Sequence, residues 1–250
     1  RGLRIEGQSD EVWNEIVKGV DLKLARGHVM GLIGESGAGK STIGLAAMGF
    51  ARPGCRITGG QIFFDGIDLR TLTEEEQRHV RGRRVAYVAQ SAAAAFNPAH
   101  RLIDQVIESP LTHGIMSKAD AVKRAILLFK KLGLPNPETI GNRYPHQVSG
   151  GQLQRVMTAM ALVPKPDLVV FDEPTTALDV TTQIDVLAAI KDAIRDEGAA
   201  ALYITHDLAV VAQVSDEIMV LRHGKMVEIG TADEVINRPK EDYTKRLVAI

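Results

Sequence analysis

The chain reads as an α/β protein, with a parallel-sheet core, an antiparallel β layer beside it and a helical subdomain inserted between core strands. Three observations predict this. First, apolar runs of strand length, Val29–Ile33, Val85–Val88, Leu168–Phe171 and Ala200–Ile204, alternate with helix-like stretches, as expected of strands covered on both faces. Second, the early segments Gly2–Gly7, Ile16–Leu24 and Gln61–Phe64 carry few helical signals between them, which suits an antiparallel layer. Third, the stretch between Pro98 and Pro164 is mostly helical in pattern. Within it, Lys118–Leu132 sets Ala121, Val122, Ala125, Leu128, Phe129 and Leu132 on one face.

Ile218–Arg222 and Met226–Ile229 supply the last strands. A chain of 250 residues that is 45% hydrophobic can bury a sizeable core as one fold unit. Residues 1–90 and 165–250 are expected to form the core and residues 91–164 the helical subdomain. A formal net charge of −1 provides no basic excess for non-specific binding to nucleic acid. Cys55 is the only cysteine, which excludes an internal disulfide and a cysteine-ligated cluster. It reads as a small apolar filler or an inert loop thiol. No apolar run reaches the length of a membrane span. The start at Arg1 without a methionine leads us to expect a processed, trimmed or excised segment, and the stop at Ile250 one either excised from a longer polypeptide or naturally without a tail.

The chemistry begins after the first core strand. Gly34-Glu35-Ser36-Gly37-Ala38-Gly39-Lys40-Ser41 is a complete phosphate-binding loop, preceded by an apolar strand and followed by a helix-like stretch from Thr42. Its glycines let backbone amides turn toward phosphate oxygens, and the following helix adds the positive end of its dipole. Lys40 can reach the β- and γ-phosphates, and the Ser41 hydroxyl can ligate Mg²⁺. A chance glycine-rich turn is the competing reading, and the strand and helix on either side argue against it.

The second chemical element ends a later strand. Asp172 and Glu173 follow Leu168–Phe171, at the carboxyl end where α/β sheets place ligands. Asp172 is suited to hold Mg²⁺ directly or through water, and Glu173, one step on, to polarise an attacking water. An Asp-Glu-Pro turn can also simply end a strand, and the phosphate loop upstream decides for function. His206 follows Ala201–Thr205 and can hydrogen-bond a γ-phosphate. Gln90 follows Val85–Val88 and can ligate Mg²⁺ or water. Either alone would pass for an ordinary loop residue.

Val148-Ser149-Gly150-Gly151-Gln152-Leu153-Gln154-Arg155 resembles the signature motif of the ATP-binding cassette family. The rest of that family's pattern is found in order: Gly34–Thr42 resembles its Walker A motif, Gln90 its Q-loop, Leu168–Glu173 its Walker B motif, Thr176–Asp179 its D-loop and His206 its switch histidine. The resemblance covers nearly the whole chain and implies a P-loop NTPase core of the ABC ATPase type, with ATP and Mg²⁺ as cofactors. It implies that two cassettes pair head to tail, so that Ser149, Gly151 and Gln152 of one meet the ATP held by Gly34, Glu35, Ser36, Gly37, Ala38, Gly39, Lys40, Ser41 and Thr42 of the other, with Asp179 at the interface.

Phe64–Leu69, Asn97-Pro98, Gln105–Glu108, Tyr144–Gln147, Thr175–Val180 and Asp242–Lys245 resemble the oligopeptide, dipeptide and nickel importer branch. This implies an ATPase subunit at the cytoplasmic face of the inner membrane, beneath two membrane-spanning permease subunits and served indirectly by a solute-binding protein. The partner cassette expected from the resemblance is a second copy, a paralogue or the other half of a fused chain, and no nucleic acid is expected. The segment Gln90–Asp104 is expected to receive the permease, with Ala92–Ala95 and Phe96 as a small-residue surface and aromatic anchor or as a plain buried helix. Ser91–Phe96 departs from the branch's usual proline-containing segment. Trp13 is expected to stack on adenine, although it lies somewhat nearer the phosphate loop than the branch's pattern; the alternative is a surface or core tryptophan.

Other readings fit less well. A DNA-repair or chromosome-structure ATPase of the same superfamily would carry a coiled-coil or zinc insert in the helical region. A translation factor would have a second cassette and a basic linker. A small-molecule kinase leaves the Ser149–Gln152 element unexplained.

Overall fold

The computed structural model describes residues 1–35, 39–88, 92–174 and 180–249, with the side chains of 81–83 and 180–182 also outside the description. In chain order the elements are β1 (Leu3–Ser9), β2 (Val12–Val20), β3 (Val29–Ile33), α1 (Lys40–Ala46), β4 (Cys55–Gly59), β5 (Phe63–Phe64), β6 (Ile67–Asp68), α2 (Glu74–Arg83) and β7 (Val85–Val88). There follow α3 (Ala92–Ala95), α4 (Leu102–Val106), α5 (Glu108–Thr112), α6 (Lys118–Lys131), α7 (Gly150–Leu162), β8 (Leu168–Asp172), α8 (Val180–Glu197) and β9 (Ala200–Ile204). The chain closes with α9 (Leu208–Val214), β10 (Glu217–Arg222), β11 (Lys225–Thr231), α10 (Ala232–Asn237) and α11 (Asp242–Val248). Two compact units are distinguished, one of residues 1–24, 30–81 and 202–250, the other of 25–29 and 82–201.

The first unit contains the antiparallel layer in the order β2-β1-β4. Its third strand is Cys55–Gly59, not the expected Gln61–Phe64. Cys55, Ile57 and Gly59 are half-buried while Arg56 and Thr58 face solvent, the period of two that a one-sided strand needs. Phe63–Phe64 instead pairs with Ile67–Asp68 in a short hairpin. Its turn is Asp65-Gly66, with φ of 52° and 81°, the left-handed pair that tight hairpins require. The expected Ile16–Leu24 strand begins earlier, at Val12, and stops at Val20. Also in this unit, β10 pairs antiparallel with β11 and parallel with β3. The turn of the β10–β11 hairpin touches β2: Lys18 N donates to Gly224 O, and a Cβ on Gly224 would stand 1.9 Å from Ile16 O. Glycine is required there for space as well as for its φ of 76°.

In the second unit β7 runs parallel to β8, and α7 packs against α3, α4, α6 and α8. Helix α6 matches its expected span to within a residue and buries Ala121, Ala125, Leu128 and Phe129. Ala92 and Phe96 are buried while Ala93, Ala94 and Ala95 are exposed. Phe96 is therefore a core residue, not the aromatic anchor of a docking surface.

A charged cluster ties α6, α7 and α8 together. The Glu197 carboxylate, 13% exposed, lies 2.8 Å from Arg124 Nη2 and 2.9 Å from Lys131 Nζ. Arg124 also donates to the carbonyl oxygens of Leu162 and Val163, which end α7. Burial by itself raises the Glu197 pKa, but hydrogen bonds from Lys131 and Arg124 outweigh it and hold the carboxyl below its ordinary value. A lowered folded-state pKa stabilises the fold above the unfolded value and loses that contribution as pH falls through the folded one. Glu197→Gln is expected to lower the urea midpoint at about pH 7 and to flatten its decline toward about pH 4. Equal pH profiles for the two proteins would remove Glu197 from the acid response.

Candidate functional site

In the first unit, β3 is buried throughout and delivers the chain to Gly34 and Glu35. Ser36, Gly37 and Ala38 lie outside the described residues. Gly39 has φ 93° and caps α1, and a Cβ there would meet Val17 Cγ2 at 3.3 Å and Ile16 O at 3.5 Å. The last glycine of the loop is thus fixed both by left-handed backbone and by the approach of β2. Lys40 is only 6% exposed, and its ammonium donates to Gly34 O at 2.7 Å, folding back across the loop it closes. A cation buried this deeply requires anionic or carbonyl partners, and Gly34 O is one such partner. Ser41 and Thr42 are half-buried at the start of α1.

His206 belongs to the same unit. Thr205 N donates to Leu32 O at 3.3 Å, so the end of β9 lies beside the end of β3, whose continuation is the phosphate loop. His206 is exposed and held in a fixed turn: Thr205 Oγ1 accepts from Asp207 N, and Asp207 caps α9 by accepting from Ala209 N and Val210 N. Trp13 is half-buried on β2, opposite Gln8. The Arg56 guanidinium lies 3.9 Å from its ring centroid and is itself held by Glu6 at 2.7 Å. One face of the indole is therefore occupied by a cation.

The second unit holds the carboxylates and the signature segment. Asp172, the last residue of β8, is 3% exposed. The Tyr87 hydroxyl donates to its Oδ2, across a register in which Tyr87 pairs with Val170 and so shares a sheet face with Asp172. Glu173 is half-buried with φ 47°, a left-handed conformation uncommon for a residue with a side chain, and it turns the chain off the strand before Pro174. Gln90 and the Thr176–Asp179 segment lie outside the described residues.

Ser149–Gln152 forms a reciprocal cap on α7. Ser149 Oγ accepts from Gln152 N at 3.2 Å and Gln152 Oε1 accepts from Ser149 N at 3.1 Å. This capping box accounts for the serine and the glutamine; of the glycines between them, Gly150 is exposed and Gly151 buried. Arg155 pins the same turn, donating to Gly151 O at 3.2 Å and to Gly133 O at 2.9 Å beyond α6. The sequence reading overlooked Tyr87 and, although it quoted Arg155 within the signature motif, gave that residue no role of its own. The only signal for Tyr87 was a polar-tipped residue within an apolar strand, and for Arg155 a charge four residues into the helix.

A loop of the phosphate-binding pattern after a buried parallel strand, with Lys40 folded back onto its first glycine, is the local form of a nucleotide-binding protein. The chain belongs to the ABC transporter family, whose model matches residues 17–176, and as a member it is an ATPase with the ABC ATPase fold. It is 41% identical over 235 residues to the dipeptide transport ATP-binding protein of Bacillus subtilis, covering 94% of this chain and 70% of that one. Identity to the metal-staphylopine import system ATP-binding protein of Staphylococcus aureus is 37% over 241 residues, covering 96% and 89% of the two chains. A dimeric ATP-binding cassette solved in a post-hydrolysis state with ADP and Pi matches with a TM-score of 0.76 at 26% identity, covering 93% of this chain and 97% of that one.

Proposed function

We propose that this chain is the ATP-hydrolysing subunit of an importer for peptides or similar small solutes, working beneath two permease subunits at the cytoplasmic face of the membrane. The observation that carries the reading is the Lys40 ammonium, buried against its own phosphate loop, in a chain related over nearly its whole length to import ATPases. Among the described residues no helix is long and apolar enough to cross a membrane, so the membrane role is assigned to partners. The helical segment 91–164 is the part assigned to the permease contact, near Gln90–Asp104.

In this account Lys40, the loop amides and Thr42 hold the ATP phosphates, and Trp13 stacks on adenine through the face not covered by Arg56. Among the described residues no group of three or more His, Cys, Asp or Glu side chains could hold a metal. Mg²⁺ at a nucleotide needs only one or two protein oxygens, and the Ser41 hydroxyl and Asp172 carboxylate are hard donors of that kind. These two, with Gln90, would hold the ion, which neutralises charge on the β- and γ-phosphates when bound. Glu173 accepts the proton of a water as its oxygen attacks the γ-phosphorus and the bond to the ADP oxygen breaks. His206 donates to the γ-phosphate. A second cassette supplies Ser149, Gly151 and Gln152, with their helix start facing that phosphate.

The test is transport itself. The chain, reconstituted in vesicles with its permease pair and partner cassette, is expected to drive uptake of labelled di- or oligopeptides with ATP and to lose it in Lys40→Ala. ATP hydrolysis without uptake of any peptide tested, alongside uptake of another solute class, would move the substrate assignment.

A further inference from the structure

Tyr243 lies on the first turn of α11, within the Asp242–Lys245 segment and far along the chain from the phosphate loop. It is 8% exposed and belongs to the apolar cluster of Ile33, Val211, Ile218, Val220 and Val235. Ile33 is the last residue of β3, so the ring packs at the root of the phosphate loop. Its hydroxyl accepts a hydrogen bond from the backbone amide of Glu35 at 3.2 Å. The Arg222 guanidinium, at the end of β10, stands 4.8 Å from the ring centroid. The ring is thus fixed by the apolar cluster and by a cation against its face, and its polar end is bonded to the loop's first turn.

We propose that Tyr243 is a positioning residue for nucleotide binding: from α11 it anchors Glu35, at the start of the phosphate loop, before ATP arrives. The proposal rests on the reading of Gly34–Thr42 as the ATP site. A loop start fixed in advance loses less entropy on binding, so releasing the anchor should weaken affinity. The Glu35 amide is held by the tyrosine, which leaves the later amides and Lys40 to the phosphates.

Tyr243→Phe keeps the ring, the cluster and the Arg222 stack and removes only the hydroxyl. Titration of the full chain with a fluorescent ATP analogue should show affinity about 2- to 10-fold weaker than wild type, the change expected of one ordinary hydrogen bond. KM should rise by the same factor with kcat unchanged, and amide exchange at Glu35 should quicken. Val235→Ala, which loosens the same cluster but keeps the hydroxyl, should leave affinity unchanged. Equal binding by wild type and Tyr243→Phe overturns the proposal. Equal weakening in Val235→Ala overturns it too, by assigning the effect to packing. Lys40→Ala separates the underlying reading: if that variant binds the analogue like wild type, the ATP site lies elsewhere and the proposal falls with it.

Discussion

Glu173→Gln is expected to slow ATP turnover about 100-fold or more while leaving nucleotide binding intact, as removal of a general base does. The residue follows Asp172 directly, and its backbone turns off the strand in a left-handed conformation at φ 47°. A side chain held at such a φ costs stability, which supports the role proposed for this carboxylate. Single-turnover hydrolysis at saturating nucleotide measures the effect without interference from product release. Turnover equal to wild type would assign the base elsewhere, with His206, in its fixed turn after β9, the next candidate.

Lys40→Ala is expected to weaken binding itself, by about 10- to 100-fold, the cost of losing charge-assisted hydrogen bonds to phosphate. The side chain is nearly fully buried and reaches back to Gly34 O, so its loss also removes a tie across the loop. Nucleotide titration by fluorescence or calorimetry decides. The two variants should separate cleanly: Glu173→Gln binds normally and turns over slowly, and Lys40→Ala binds weakly. Matching losses of affinity in both would contradict the division of labour between the loop and the carboxylate.

The sequence was legible where local physics is strong. Val29–Ile33, Val85–Val88 and Ala200–Ile204 are strands as expected, because a run of apolar residues bounded by loop signals has few other places to go. The helix at Lys118–Lys131 was readable from its apolar face, and Ser117 caps it by accepting from Asp120 N. The third antiparallel strand was missed because Cys55–Gly59 is short and half-buried, and Phe63-Phe64 carried a stronger apolar signal that its hairpin uses instead. At the site, the chemistry-bearing residues could be named from motifs, but the contacts of Tyr87 and Tyr243 could not. Each depends on which residue a register or a distant helix brings alongside, and neither is encoded locally. The capping role of Ser149 and Gln152 was in fact written in the sequence, since Ser followed three residues later by Gln is a helix-start signature.

The central claim is that this cassette's ATP site is completed by the Ser149–Gln152 helix start of a second cassette, and light scattering of Glu173→Gln tests it most directly. The helix opens with a reciprocal cap between Ser149 and Gln152 that orders its first turn. With the base removed, bound ATP should persist and hold two chains together in a two-fold arrangement. The account predicts a mass that doubles on adding ATP with Mg²⁺ and returns to that of the single chain when ADP replaces it. A mass that stays the same with ATP at high protein concentration, in protein shown by titration to be saturated with nucleotide, would contradict it.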